Sequence, residues 1–477
     1  MNDEKIDRGA YVRPIKDMSD DEHSFIADAP ISATMDPEEY ARQEKKALFK
    51  LDMQIVPLCL MLYFLSFLDR TNIAQAKLNG LQTQLNLSEY DYTLALVVLY
   101  PPYILFEIPS NLLIKRIGPS RWIPLLVCLW GLVSTLQGIV KSRDGLLINR
   151  AFLGLAEAGI LPGIAVYLTF FYKPRELQLR QALFFCGASL SGAFSGLLAA
   201  AINNMSGMKG LQGWSWIFIL EGIFTVVFGF CCLFLLPDNI KSTWWLTPVE
   251  KQIITERLAS SSNRFQDRPE LDQKLAQVQM DVAHEAPVPM PNLARRDMLR
   301  ALIDPSMLLM CAASFCGVIS LYSISYFSPT IIKDMNNYST VRAQLMSCPP
   351  YAVSLVYCAS MAVISDRFRT RFFSALLGMV LSMVGFAMTY ASTHAMTRYG
   401  GVIVLTCGSY SILPVLFAWM ANNSAGHYKR AVGLAMLIVF ANSGGLTSAF
   451  LFPKKEGKQY KRGLLTNLSL NENATTV

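Results

Sequence analysis

Arg150, Gly154 and Glu157 are spaced i, i+4 and i+7 within an apolar run, which puts all three on one face of a helix. A charged side chain at mid-membrane depth costs about 2.5–3.5 kcal/mol on insertion scales, so it is retained where it lines a water-accessible path or meets a partner. Arg150 opens the run, Glu157 lies two turns inside it, and Gly154 lets a neighbouring helix approach closely. The chemistry such a pair can do is proton exchange, with Arg150 setting the protonation of a nearby carboxylate. The alternative is a structural pair that fixes helix packing.

Further ionisable groups sit in other apolar runs. Asp69 and Arg70 close the first run, with Asn72 just beyond. The 17 residues from Asp52 to Asp69 cover about 25 Å of helix, which places Asp69 near the outer mouth as a gate ion pair, a substrate contact or a solvated helix end. Glu107 lies two turns inside the second run, ahead of Pro109. It is either a proton carrier or, the favoured reading, a brace to the basic turn at Lys115 and Arg116. Glu221, before Gly222, carries the same ambiguity. The second half supplies neutral candidates, Tyr322, Tyr326, Trp419 and Asn442, whose rings and polar atoms suit a flat organic anion and equally suit packing.

Two turns read as copies. Ser110–Arg121 is SNLLIKRIGPSR and Ser360–Arg371 is SMAVISDRFRTR, each joining one apolar run to the next. Duplicated turns at matching places in two halves are expected of a secondary transporter built from repeats. Lys115, Arg116, Asp366 and Arg367 then read as gating residues that latch one side shut, with a purely topogenic basic turn as the plain alternative.

The elements that must position these residues are membrane helices. Of 477 residues, 52% are hydrophobic and 16% charged, and the mean hydropathy is +0.33, whereas soluble domains carry about 25% charged residues. The spacing predicts six spans, Leu51–Leu68, Tyr92–Ile114, Trp122–Val140, Leu147–Tyr172, Ala182–Asn203 and Trp216–Leu236, then five more, Met307–Ile332, Gln344–Ile364, Phe372–Tyr390, Val402–Met420 and Ala431–Phe452. Residues 1–50 read as a disordered cytoplasmic tail, 51–236 as a six-helix bundle, 237–304 as a cytoplasmic linker, 305–453 as a five-helix bundle and 454–477 as a polar tail. In the linker, Thr247 and Glu250 form a capping box with Pro248 at the first helical position, opening an amphipathic helix at the membrane surface.

Most basic turns fall on one side if the N-terminus is cytoplasmic; the group Lys141, Arg143 and Arg150 is the exception. The net charge of +7 is spent on these turns and does not point to nucleic acid. No zinc-type cysteine spacing, phosphate-cradling loop or hydrolase elbow is present, so no enzyme, metal or cofactor is expected. The ten cysteines fall mostly in apolar runs and do not read as a disulfide framework.

The phrases LDRTNI (68–73), PSNLLIKRIGPSR (109–121), RAFLGLAEAGILPG (150–163), GWSWIFILEG (213–222), QLMSCPPY (344–351) and YKRAV (428–432) together resemble the major facilitator superfamily, and more narrowly the fungal allantoate permease family of anion:cation symporters. The resemblance implies an all-α polytopic fold of two helical halves and a monomer in the plasma membrane. The activity it implies is proton-coupled import of a small organic anion such as nicotinate, allantoate or another vitamin-like carboxylate. It also associates the arginine at position 150 with proton coupling. An uncoupled facilitator or exporter, and a nutrient sensor or inactive truncated carrier, are the alternatives.

The chain has Lys115 where the superfamily usually has Asp, a change the narrower family tends to share, and it departs from that family at Ala74-Gln75, where the family has Gly-Asn. The family's twelfth helix has no apolar counterpart after Phe452, and the expectation is a chain cut short of it, with a genuine eleven-span variant as the alternative.

Overall fold

A computed structural model of the chain describes residues 35–173, 176–266, 300–368, 371–424, 427–451 and 461–476. Among these residues every regular element is a helix. Ten helical segments are long and apolar enough to cross a membrane, Glu89–Asn111 and Arg143–Thr169 each taken across an internal break, and Val432–Ser448 is a shorter apolar helix.

The first half runs α1 (Pro37–Leu78), α2 (Glu89–Val97), α3 (Tyr100–Ile117), α4 (Pro119–Gln137), α5 (Arg143–Glu157), α6 (Ile160–Thr169), α7 (Leu177–Ile202) and α8 (Gly213–Leu235). The linker contributes α9 (Pro248–Gln266). The second half runs α10 (Pro305–Met335), α11 (Thr340–Phe368), α12 (Arg371–Ala391), α13 (Ala395–Asn423), α14 (His427–Ser448) and α15 (Lys461–Thr476). Within the halves α4 packs on α8, α1 on α7, α12 on α13 and α10 on α14. Between them α7 packs on α11 and α1 on α10.

Two predicted spans are broken. The second is split at Val98 and Leu99, ahead of Pro101 and Pro102, where two backbone donors are missing. The fourth is split after Glu157, where Gly159 takes φ +91° and a Cβ would lie 2.1 Å from the Ser110 hydroxyl. Only glycine accommodates both the left-handed backbone and that approach.

The ends differ from the sequence expectation. Residues 37–50, read as tail, are the first turns of α1, whose 42 residues extend about 63 Å. They are helical because α9 gives them a partner. Lys50 Nζ donates to Glu250 at 2.7 Å, and Arg257, buried on α9, pairs with Glu44 and with Glu176 of the loop before α7. The capping box is present: the Thr247 amide donates to Glu250 Oε2 at 2.9 Å and the Glu250 amide to Thr247 Oγ1 at 3.3 Å. Arg257→Ala should therefore uncouple α9 from the bundle and cost about 2 kcal/mol, read as a lower unfolding midpoint of the purified protein.

Residues 461–476, read as polar tail, form α15 against α12 and α10. Its inward seam is asparagine. Asn471 Nδ2 donates to Ser320 Oγ at 2.7 Å, and Ser323 Oγ donates to Asn467 Oδ1 at 3.4 Å. These bonds explain how a polar sequence packs inside a helical bundle. At 16 residues α15 is about 24 Å long, short of a hydrocarbon core of about 30 Å.

At the start of the second half Asp304 caps α10 and accepts from Lys429 Nζ at 2.6 Å. The hydrogen bonds from Lys429 and Ser306 hold its carboxyl down at about 2. Arg143, one of the basic residues that the orientation rule left over, pairs with Asp91 at 2.6 Å.

Candidate functional site

Adjacent residues on a helix point about 100° apart, so Asp69 and Arg70 leave α1 in different directions. Arg70 faces the second half. Its Nε and Nη2 donate to Glu157 Oε2 at 3.0 and 2.8 Å, and its Nη1 donates to the Tyr322 hydroxyl at 2.5 Å. Its guanidinium also lies over the Tyr103 ring, 5.0 Å from the centroid. One buried cation thus joins a carboxylate of the first half to a phenol of the second. The break after α5 helps, because a cation is favoured at a helix C-terminus and Glu157 is the last residue of α5.

Arg70 also lines a cavity between the halves. Tyr63, Ser66, Phe67 and Tyr103 contribute from the first half, Tyr322, Phe417 and Asn442 from the second. Tyr322 stacks on Phe67, with centroids 6.0 Å apart, and on Tyr326 at 5.5 Å. The hydroxyl of Tyr326 meets that of Tyr100 at 2.6 Å, a further contact across the halves.

Asp69 faces the interior of the first half. It accepts from Trp130 Nε1 at 2.6 Å and from the Ser134 hydroxyl, and it is fully buried. The reading of Asp69 as a residue near the outer mouth is corrected: α1 continues to Leu78, so Asp69 lies nine residues, about 13 Å, inside its end. Asn72 donates to Glu221 of α8, also fully buried.

The alternative of a structural Arg150–Glu157 pair is corrected as well, since Glu157 forms its ion pair with Arg70. An i, i+7 pair is separated by about 10 Å along the axis, and Arg70 takes the carboxylate instead. Arg150 is buried, its guanidinium 5.7 Å from the Phe218 centroid, with Nε and Nη2 lacking a hydrogen bond among the described residues. Glu107 is buried one turn beyond Tyr103, and its Oε2 has no partner among the described residues.

Trp419 does not join the cavity. It packs on Phe372 with ring centroids 6.1 Å apart, as an aromatic near a helix end does. Of the gating residues, Arg116 and Arg367 are exposed, and the side chains of Lys115 and Asp366 lie outside the described residues. The aromatics Tyr63, Phe67, Tyr100 and Tyr103 went unread in the sequence. The signal available was their spacing from Arg70: Tyr63, Phe67 and Arg70 follow i, i+4 and i+7 on α1.

Two halves of membrane-crossing helices around a central cavity are the architecture of one large group of carriers, and the sequence profile of the Major Facilitator Superfamily matches residues 59–449. The chain belongs to this superfamily. It is therefore a multi-pass membrane transporter that carries small molecules, and not an enzyme. The chain is 31% identical to MFS transporter prlL of Fungal sp. (strain NRRL 50135), over 98% of this chain and 90% of that protein. It is 30% identical to the high-affinity nicotinic acid transporter of Saccharomyces cerevisiae, over 89% and 75%. Among solved structures, a bacterial homologue of the lysosomal transporter Spinster, inward-facing and occupied, shares the fold at a TM-score of 0.59 and 14% identity, over 88% of this chain and 95% of that one.

Proposed function

We propose that the protein is a proton-coupled importer of a small organic anion of the vitamin-like carboxylate type, of which nicotinate is one. The observation that carries this reading is Arg70, a buried cation lining the central cavity and hydrogen-bonded to both halves at once. A substrate carboxylate entering the cavity competes with Glu157 for Arg70. Glu157, fully buried with Oε1 already lacking a partner among the described residues, then needs a proton to remain where it is. Anion and proton each favour the other's binding, which is a coupling free energy between two sites.

The surroundings support the assignment. Asp69, Glu107, Glu157 and Glu221 are buried in the first half alongside Arg70 and Arg150, four carboxylates against two guanidinium groups. That ratio gives protons somewhere to bind. Tyr326, Tyr100 and Tyr322 tie the halves together beside Arg70, so a change at the cation reaches the interface at once. In this reading the N-terminus and the basic turns face the cytoplasm, the carrier sits in the plasma membrane as a monomer, and Lys115, Arg116, Asp366 and Arg367 latch its inner side. The resemblance of this chain to a nicotinic acid transporter favours a flat monocarboxylate.

The test is uptake of labelled nicotinate into proteoliposomes with and without an inward pH gradient. Uptake by the wild type should rise several-fold with the gradient. Glu157→Gln, which keeps a hydrogen-bond acceptor for Arg70 and cannot ionise, should lose that response while still exchanging nicotinate between the two sides. Wild-type uptake indifferent to the gradient leaves an uncoupled facilitator as the answer.

A further inference from the structure

The cavity contains hydrogen-bonding capacity that the protein does not use. Asn442 is 5% exposed and lines the cavity from α14, yet its side-chain amide makes no hydrogen bond among the described residues. The buried asparagines of α15 behave differently: Asn467 and Asn471 both donate to backbone carbonyls of their own helix, and Asn471 also to Ser320. Ser66 repeats the pattern on the opposite wall. It is 5% exposed, one helical turn before Arg70, lines the same cavity and has no hydrogen bond among the described residues. With no partner among the described residues and both side chains on the cavity wall, these polar groups are open to a ligand. Two of them facing one cavity, one from each half, are the polar groups that fix a ligand's orientation in an otherwise apolar pocket. The wall between them is apolar and aromatic, with Phe67, Leu413, Phe417 and Ile438.

We propose that Asn442 recognises a second polar atom of the substrate, and that the substrate class is a flat monocarboxylate bearing a hydrogen-bonding ring atom or substituent. This rests on the reading of Arg70 as the carboxylate's partner. A ligand bound in this way touches α1 through its carboxylate and α14 through its heteroatom, so it bridges the halves. An unsubstituted aromatic carboxylate fills the same space and leaves the Asn442 amide unpaired. A site built to hydrogen-bond a substrate atom rejects the analogue that lacks it, because the site's own polar group is then stranded.

Nicotinate and benzoate make the comparison, since they share charge and outline and differ by one ring nitrogen. Binding of each to the purified full chain is titrated by the ligand-induced rise in unfolding midpoint. The wild type should bind nicotinate about tenfold more tightly than benzoate. In Asn442→Leu the ratio should fall to within about twofold. Asn442→Asp, nearly isosteric and acceptor-only when ionised, should narrow it too, and it decides the matter if the ligand-free midpoint shows that Asn442→Leu is poorly folded. A wild-type ratio near one, with both ligands lost in Arg70→Gln, overturns the role of Asn442 and leaves the anion site standing. A tenfold ratio that survives in both Asn442 variants overturns it equally. Failure of the wild type to bind either carboxylate overturns this inference and the reading of Arg70 together.

Discussion

Arg70→Gln should lower uptake of the transported anion by more than about 100-fold, and the double variant Arg70→Gln/Glu157→Gln should not restore it. Arg70 makes three hydrogen bonds, two to Glu157 and one to Tyr322. Its single replacement has two consequences that need separating. The first is structural. Glu157 is fully buried, and removing one member of a buried ion pair costs about 3–5 kcal/mol, because the remaining charge has no compensation. Replacing Glu157 as well removes that charge, so the double variant should recover an unfolding midpoint close to wild type. The second consequence is functional and persists. Charge-assisted hydrogen bonds contribute about 1.5–3 kcal/mol each. An anion that loses two of them loses 3 kcal/mol or more, which exceeds 100-fold in affinity. Transport measured beside the unfolding midpoint therefore distinguishes a binding cation from a packing cation. A double variant that is stable and transports normally would assign Arg70 to packing alone.

Much of this site was legible in the sequence, and what was lost was lost for identifiable reasons. Arg70, Glu157, Glu107, Glu221 and Asn442 announce themselves because polar groups in apolar runs are expensive and few. Their pairing did not, because pairing is set by which helices meet. Arg150 and Glu157 share a face and a sequence phrase, yet the partner of Glu157 lies 87 residues away on α1. Asp69 and Arg70 are neighbours in sequence that serve different sides of α1, one bonded to Trp130 and the other to Tyr322.

The broken helices were missed because hydropathy averages over a break. Pro101-Pro102 and Gly159 were visible as residues, but their effect depends on whether a neighbour supplies the lost contacts. The two ends were misread for the same reason. Residues 37–50 and 461–476 are polar by composition, and their order comes from Glu44 and Lys50 meeting Arg257 and Glu250, and from Asn467 and Asn471 meeting Ser323 and Ser320. Composition reports what a segment would do in isolation, and neither segment is isolated.

Gly154→Ala should prevent accumulation of folded protein, although it adds one methyl group in mid-helix, where alanine is the better helix former. A Cβ at position 154 would lie 2.0 Å from the carbonyl oxygen of Leu99, 2.9 Å from its carbonyl carbon and 3.2 Å from its Cα. All three are backbone atoms, so no side-chain rotation relieves the overlap and α5 must move away from the α2–α3 break. Overpacking that forces backbone shifts costs about 1–3 kcal/mol and sometimes more, and here the displaced segment leads into Tyr100 and Tyr103. Glu157 lies on the same face of α5 as Gly154, so the displacement also draws its carboxylate from Arg70.

The control is Gly163→Ala on α6, where an added Cβ meets only the Cδ1 atom of Ile114, at 3.4 Å. That variant should express and elute as the wild type does in size-exclusion chromatography. Equal behaviour of the two variants would mean that the crossing of α5 over Leu99 is looser than these distances require. The close crossing brings the arginine-bearing face of the fourth span against the bend of the second, and the alignment of Glu157 with Arg70 follows from it.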